Sequence, residues 1–307
     1  MILAEQQLLI FDGACGTNLQ TMNIPDEAWQ GCEGCNEILN IYAPEFVIDL
    51  HLSMYNAGAM VVETDTFGAS SVVLAEYGLS DRVKEINRKA VENARIAAAG
   101  QPDRYVAGSL GPGTKLPSLG HIEVAELATA TREQAEALLE AGVDCLIVET
   151  CQDLLQTKTA LVALFEVLET AKLELPVLAS VTIEQQGTML VGSDIAAVVA
   201  TLEPYPLFSL GLNCATGPQD MTSHIHYLSR HWPQRISCIP NQGLPEVVDG
   251  QTVYPLTPTE FAGQMYQFVT EQGVSIVGGC CGTSPAHIRS LADKLSGVQP
   301  LPREVLR

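Results

Sequence analysis

The residues with the clearest chemical promise are two adjacent cysteines, Cys280 and Cys281, in the run Ile276-Val277-Gly278-Gly279-Cys280-Cys281-Gly282-Thr283. A short apolar run that meets glycines reads as a buried strand ending at a tight turn. Neighbouring cysteines do not reach disulfide geometry without straining the peptide between them. They can ligate one soft metal ion where the backbone turns sharply, and Gly278, Gly279 and Gly282 permit such a turn. The bland alternative is a pair of buried thiols, since free cysteine is a common core residue. The choice depends on whether the rest of the chain supplies a further ligand and a pocket.

The elements that would position those thiols alternate regularly. Apolar runs recur at 8–11, 60–68, 104–112, 145–150, 177–183, 208–214 and 236–241, and the 276 run is the eighth. Between them the sequence predicts helices over about 44–56, 81–99, 122–141, 154–171, from 193, over 218–230 and 258–272, and from Ser284-Pro285 to 296. Pro near the first helical position and Gly after the last mark several boundaries, and Thr257 or Thr259 and Ser284 are available as N-caps. Residues 20–43 read as irregular. Eight strand–helix units in 307 residues predict an α/β fold, a single-domain (β/α)8 TIM barrel over 1–297 with a tail over 298–307. An open doubly wound sheet fits less well, because Gly13-Ala14-Cys15-Gly16 lacks the third glycine of a dinucleotide fingerprint.

Bulk composition narrows the class. Apolar residues make up 47% and charged residues 17%, which allows a large core and argues against disorder. A net charge of −20 argues against nucleic acid and anionic membrane surfaces as partners. The first residues carry no signal-peptide pattern, and no apolar run approaches ~18 residues. Nine scattered cysteines, an odd number, fit reduced thiols in the cytoplasm better than a disulfide framework.

In such a barrel the active site forms at the C-terminal ends of the strands. Asp12, Asp65 to Gly68, Glu149, Asn213-Cys214, Asn241 and Cys280-Cys281 all fall there. Strands six and eight are two apart, about 10 Å at ~4.8 Å per strand, so short loops can bring Cys214 to Cys280 and Cys281. Three converging thiolates favour Zn²⁺ and leave a fourth position open, the pattern of a catalytic site. A thiol entering that position would be deprotonated at neutral pH. Asp12 and Glu149 are placed to hold the ammonium of an amino acid, and the amides around Gly13 and Ala14 its carboxylate. The competing reading gives both carboxylates a loop-holding role. Cys32-x-x-Cys35 is a weaker metal or redox pair, with no second pair near it. Cys15, Cys145, Cys151 and Cys238 read as core or near-core, His224 and His226 as solvated, and His287 as a neighbour of the site.

Taken together, Asp12-Gly13-Ala14-x-Gly16-Thr17, Cys35-Asn36-Glu37-Ile38-Leu39-Asn40, Glu63 to Ala69, Gly211 to Cys214, Pro240-Asn241-x-Gly243 and Gly278 to Thr283 resemble the homocysteine S-methyltransferase family. The likeness spans about residues 8–295 and is strongest to the N-terminal homocysteine-binding module of cobalamin-dependent methionine synthases. The resemblance implies a zinc-bearing barrel that methylates L-homocysteine to L-methionine. It implies Cys214, Cys280 and Cys281 as zinc ligands, with Asn241 beside the metal in the open position until substrate displaces it. It implies Asp12, Gly13 and Glu149 at the amino-acid end of homocysteine, and Thr66, Phe67 and their neighbours to Ala69 as pocket walls. Gln242 stands where that module usually carries Ala, a departure expected to alter the pocket wall, and Cys15 and Cys32 are also unusual at their positions. The favoured methyl donor is a methyl-corrinoid, methylcobalamin carried either by a separate protein that docks on the rim or by a further module of a synthase from which the chain is split or excised. The alternative donors are S-methylmethionine and betaine. Outside this class stand a zinc-binding regulatory barrel, for which Asp12 and Glu149 have no use, and a thiol enzyme with Cys280 or Cys281 as covalent nucleophile, for which no histidine follows any strand.

Overall fold

Parallel strands buried on both faces read as near-continuous apolar runs, and that pattern dominates the chain. The computed structural model describes residues 3–248 and 251–306. Among them, eight parallel strands form one sheet: β1 (Leu9–Ile10), β2 (Val61–Glu63), β3 (Tyr105–Leu110), β4 (Cys145–Cys151), β5 (Val177–Val181), β6 (Ser209–Asn213), β7 (Arg235–Ile239) and β10 (Ile276–Val277). Their order runs β1-β10-β7-β6-β5-β4-β3-β2, and a parallel bridge from Phe11 to Val61 joins the two ends. The result is the expected α/β barrel. Alternation along each strand divides the core in two. Phe11, Val61, Ala107, Cys145, Ile147 and Leu178 pack inside the barrel, while Val62, Val106, Leu146 and Val148 face the helices.

Eleven helices of the described residues surround or cap the strands: α1 (Gly16–Leu19), α2 (Leu39–Tyr42), α3 (Pro44–Ala57), α4 (Ser71–Leu74), α5 (Val83–Ala98), α6 (Val124–Ala141), α7 (Leu154–Ala171), α8 (Ile195–Leu202), α9 (Pro218–His231), α10 (Pro258–Gln272) and α11 (Pro285–Leu295). The boundary residues explain themselves. Thr257 caps α10 in a capping box with Glu260, Pro258 follows, and Gly273 ends the helix at φ +68°. Ser284 opens α11 in the same way, with His287 in the place of the usual acid. Gly58 ends α3 at φ +111°, where a Cβ would stand 2.5 Å from Cβ of Ala292 on α11, so no other residue fits that crossing.

Two segments differ from expectation. Residues 26–42 are not irregular but fold into 3₁₀ turns at Asp26–Trp29 and Asn36–Ile38 and then α2, covering one side of the barrel mouth. A small antiparallel hairpin, β8 (Glu246–Val248) with β9 (Gln251–Val253), interrupts the seventh unit between β7 and α10. After Gly297 the chain runs back along α9 and α10, with Leu301 N–H bonded to Val269 and Arg303 donating to the carbonyls of Ser229 and Trp232.

Candidate active site

The loop after β6 begins at once with Cys214, at φ +61°, followed by Ala215 at φ +57°. Two successive non-glycine residues in the left-handed region cost of order 1–2 kcal/mol each, and such strain concentrates at functional sites. It is held there by Cys214 N–H bonded to Ile239 at the end of β7, and by Thr216 accepting from Asn241. The Cys280-Cys281 turn is fixed as firmly. Cys280 N–H donates to Pro240 O at 2.8 Å, and Cys281 N–H to Asn241 Oδ1 at 3.1 Å. Thr283 locks the turn to the first strand's loop: its hydroxyl donates to Cys280 O, and its hydroxyl and carbonyl oxygens accept from Ala14 N–H. A Cβ on Gly13 would come within 2.9 Å of Thr283 O, which is why glycine stands there.

These three loops bring the sulfurs of Cys214, Cys280 and Cys281 within 4.8 Å of one another. Cys214 and Cys280 each lie 3.9 Å from Cys281. A tetrahedral ion with bonds of ~2.3 Å to sulfur sets its ligands about 3.8 Å apart, whereas a disulfide needs ~2.05 Å. The spacing is therefore that of ligands around one ion. Charge points the same way. Hydrogen bonds from Cys214 and Cys280 pull the Cys281 thiol down, while the bonds of Cys280 to Cys214 and Cys281 push the Cys280 thiol well up, so without a cation the cluster supports one thiolate. A divalent ion is what lets all three ionise together. Cys32 and Cys35 join no such group among the described residues; Cys35 is buried and its thiol donates to Glu37.

The cluster opens into a cleft of about 1260 Å³, including its solvent-open part. Asp12, Glu63 and Glu149 line it together. Glu149 Oε1 accepts from Ser109 Oγ at 2.5 Å and Oε2 from Asn213 Nδ2 at 3.1 Å. Asp12 Oδ2 accepts from Glu63 N–H at 3.1 Å, and Glu63 Oε1 is buried with no hydrogen-bond partner. Burial pushes all three carboxyls up; for Glu63 the charges of Glu149 and Asp12 add to it, and for Asp12 that of Glu149. Among the described residues no lysine, arginine or histidine lines the cleft. Three crowded carboxyls without a protein cation form a receptor for a ligand cation. Thiol cluster and carboxylates share one cavity, which suits an amino thiol.

The expected residues do not all face that cavity. Asp12, Gly13, Glu149, Cys214, Cys280, Cys281 and Phe67 line it, with Phe67 44% exposed at the mouth. Thr66 is fully buried in the wall, its hydroxyl donating to Ser109 O, and Asn241 sits behind Cys281 as the acceptor of its N–H. Gln242 also lies behind the turn, outside the cleft wall where its departure was expected to act. Glu63 and Ser109 were not named as site residues; Glu63 opens the Glu63-to-Ala69 motif, whereas Ser109 had only its place near a strand end as a signal. Asn213 ties the two halves of the site together, since it holds Glu149 and directly precedes Cys214.

A second acidic pair, Glu37 and Asp65, lines the outer cleft beside Cys15, whose thiol donates to Asp65 at 3.4 Å. Burial, then the charge of Glu37, pushes the Asp65 carboxyl up to about 8. The folded chain therefore binds that proton more tightly than the unfolded chain, where carboxyls titrate near ~3.9. The associated stability is present below that value and is lost as pH rises from ~4 through 8. Asp65→Asn removes the ionisation. Thermal melts are expected to show the variant roughly 5 °C above wild type at pH 8.5 and level with it at pH 3.5; a variant that melts lower at both would mean the carboxylate is welcome there.

Comparison with known proteins agrees with this geometry. The family profile for homocysteine S-methyltransferases matches residues 9–295. The chain belongs to the homocysteine S-methyltransferase family. The methionine synthase of Mycobacterium tuberculosis (strain ATCC 25618 / H37Rv) is 44% identical over 305 residues, which cover 98% of this chain and 26% of that protein. The methionine synthase of Mycobacterium leprae (strain TN) is 44% identical over 291 residues, 94% of this chain and 24% of that one. The chain thus spans about a quarter of the length of these relatives. Among solved structures, the metallated form of the homocysteine methyltransferase MmuM from Escherichia coli superposes with a TM-score of 0.74 at 27% identity, covering 95% of this chain and 98% of that one. A B12-independent methionine synthase from Shewanella sp. W3-18-1 shares the fold alone, with a TM-score of 0.56 at 13% identity, 95% of this chain and 98% of that one being covered.

Proposed function

We propose that this chain is the zinc-dependent homocysteine-methylating barrel of a methionine-forming system, with residues 1–297 as the working unit and 298–307 as its tail. The observation that carries the reading is the convergence of three thiols at ligand spacing on a cleft rich in carboxylates and without a protein cation. Cys214, Cys280 and Cys281 would hold one Zn²⁺, which when bound lowers the pKa of a coordinating thiol and presents it as a thiolate nucleophile. Asp12, Glu63 and Glu149 receive the substrate ammonium, and Ser109 and Asn213 orient Glu149. The Gly13-Ala14 backbone, pinned by Thr283, forms the adjoining wall. Cleft residues thereby fix where the sulfur lies, and the remaining chemistry is in-line attack on an electrophilic methyl group. Asn241 positions Cys281 through its backbone N–H, and Phe67 guards the mouth.

For the donor we infer a methyl-corrinoid delivered by a separate module, because the relatives of 44% identity are methionine synthases of which this chain matches about a quarter. One observation favours a second donor class: the acidic outer cleft at Glu37 and Asp65 also suits a cationic sulfonium or ammonium compound such as S-methylmethionine or betaine. Unpaired cysteines throughout the described residues suit a reducing, cytoplasmic setting. No helix of the described residues is long and apolar enough to cross a membrane. The test is methionine formation from homocysteine by the zinc-loaded protein, with methylcobalamin, S-methylmethionine and betaine offered separately. Methionine from methylcobalamin alone is the expected result. Turnover with either cationic donor in its place transfers the assignment to the second class, and no methionine from any donor would count against methyl transfer.

A further inference from the structure

Behind the cysteine turn lies a layer of contacts that methyl transfer does not itself require. Gln242 N–H donates to Cys281 O at 2.9 Å, and its carbonyl accepts from Leu256 N–H at 3.2 Å. Any residue could make those two bonds. The side chain adds two that only a donor of this length supplies: Nε2 to Tyr254 O at 3.2 Å and to Leu256 O at 2.7 Å. Leu256 O also meets His287 Nε2 at 3.2 Å. Because Ser284 N–H points at Nδ1 of that ring, Nε2 carries the proton and donates. The ring of Tyr254 lies against Gly282: a Cβ there would stand 2.5 Å from its Cγ and Cδ2. Residues 254–256, leading from the β8–β9 hairpin into α10, thus form a strap along the turn, and the Tyr254 side chain reaches the Cys281 thiol.

A bound ion leaves when one ligand swings away, so whatever braces a ligand turn slows release, and partners that orient ligands commonly change metal affinity by 10–100-fold. Cys281 is braced from the barrel side by Asn241 and through its carbonyl by Gln242. We propose that Gln242 is a positioning residue whose side-chain amide clasps the Tyr254–Leu256 strap to the Cys280–Gly282 turn and so retards loss of the metal held by Cys214, Cys280 and Cys281. This inference rests on the zinc reading above and names the residue that controls retention at the same site.

The experiment measures the rate at which 4-(2-pyridylazo)resorcinol captures zinc from the full chain, for wild type, Gln242→Ala and Gln242→Met. Methionine fills the volume without donating. Both variants are expected to release zinc about tenfold faster, as the loss of two hydrogen bonds implies. The melting temperature of the metal-free protein should stay within a few degrees of wild type, and the cobalt-substituted variants should show shifted thiolate-to-metal absorption, which mere destabilisation would not produce. Wild-type release from both variants would overturn the proposal. So would a Met variant that behaves as wild type while the Ala variant does not, since packing would then be the cause. Wild-type protein that binds no zinc would overturn the metal reading itself, and with it this inference, before any variant is compared.

Discussion

Cys281→Ser is expected to lower methionine formation by more than about 10³-fold and to reduce bound zinc well below one per chain. The magnitude follows from the role: activating a thiol near neutral pH by a metal is worth several kcal/mol, at ~1.4 kcal/mol per decade of rate. Serine keeps the size of the side chain, and the backbone bonds of residue 281 to Asn241 and Gln242 do not depend on it. Folding should therefore survive, and circular dichroism can verify that the loss is chemical. Cys214→Ser and Cys280→Ser are expected to behave alike, because all three sulfurs share one point. Cys35→Ser, by contrast, should keep full zinc content. Full activity in the Cys281 variant would instead make the cluster a set of ordinary thiols.

Glu149→Gln carries the second large effect, a rise in KM for homocysteine of about 10²-fold with kcat changed much less. A charge-assisted hydrogen bond is worth roughly 1.5–3 kcal/mol, or about one to two decades of affinity. The ammonium does not take part in methyl transfer, so its binding is the same in ground and transition states and appears in KM. Glutamine is nearly isosteric and can keep the bonds to Ser109 and Asn213. A homocysteine analogue without the amino group, 4-mercaptobutyrate, makes the control. It should be poor with wild type and no poorer with the variant. If the variant weakens both thiols equally, Glu149 serves the rim loops and not the substrate.

Much of this site could be read before the structure. The three thiols stood out because each follows an apolar run at a turn marked by glycine or by Asn-Cys, and the eight-fold alternation placed all those turns on one rim. Asp12 and Glu149 followed from the same rule. The misses share a cause: near a strand end, a shift of one residue reverses which side a side chain faces. Thr66 was expected as a pocket wall and is buried in it without reaching the cleft surface, and Glu63, three residues earlier, supplies a carboxylate that was not named. The β8–β9 hairpin escaped notice because its strands are only three residues each, shorter than a periodic signal needs. With the hairpin unseen, Gln242 looked like a neighbour of the pocket, although its partners are the carbonyls that follow that hairpin.

The most direct measurement of the central claim is zinc X-ray absorption on the purified protein with and without homocysteine. Three sulfur neighbours at ~2.3 Å without substrate, rising to four when homocysteine is added, is the predicted result. Zinc with fewer than three sulfur neighbours, or a count that homocysteine leaves unchanged, would contradict it.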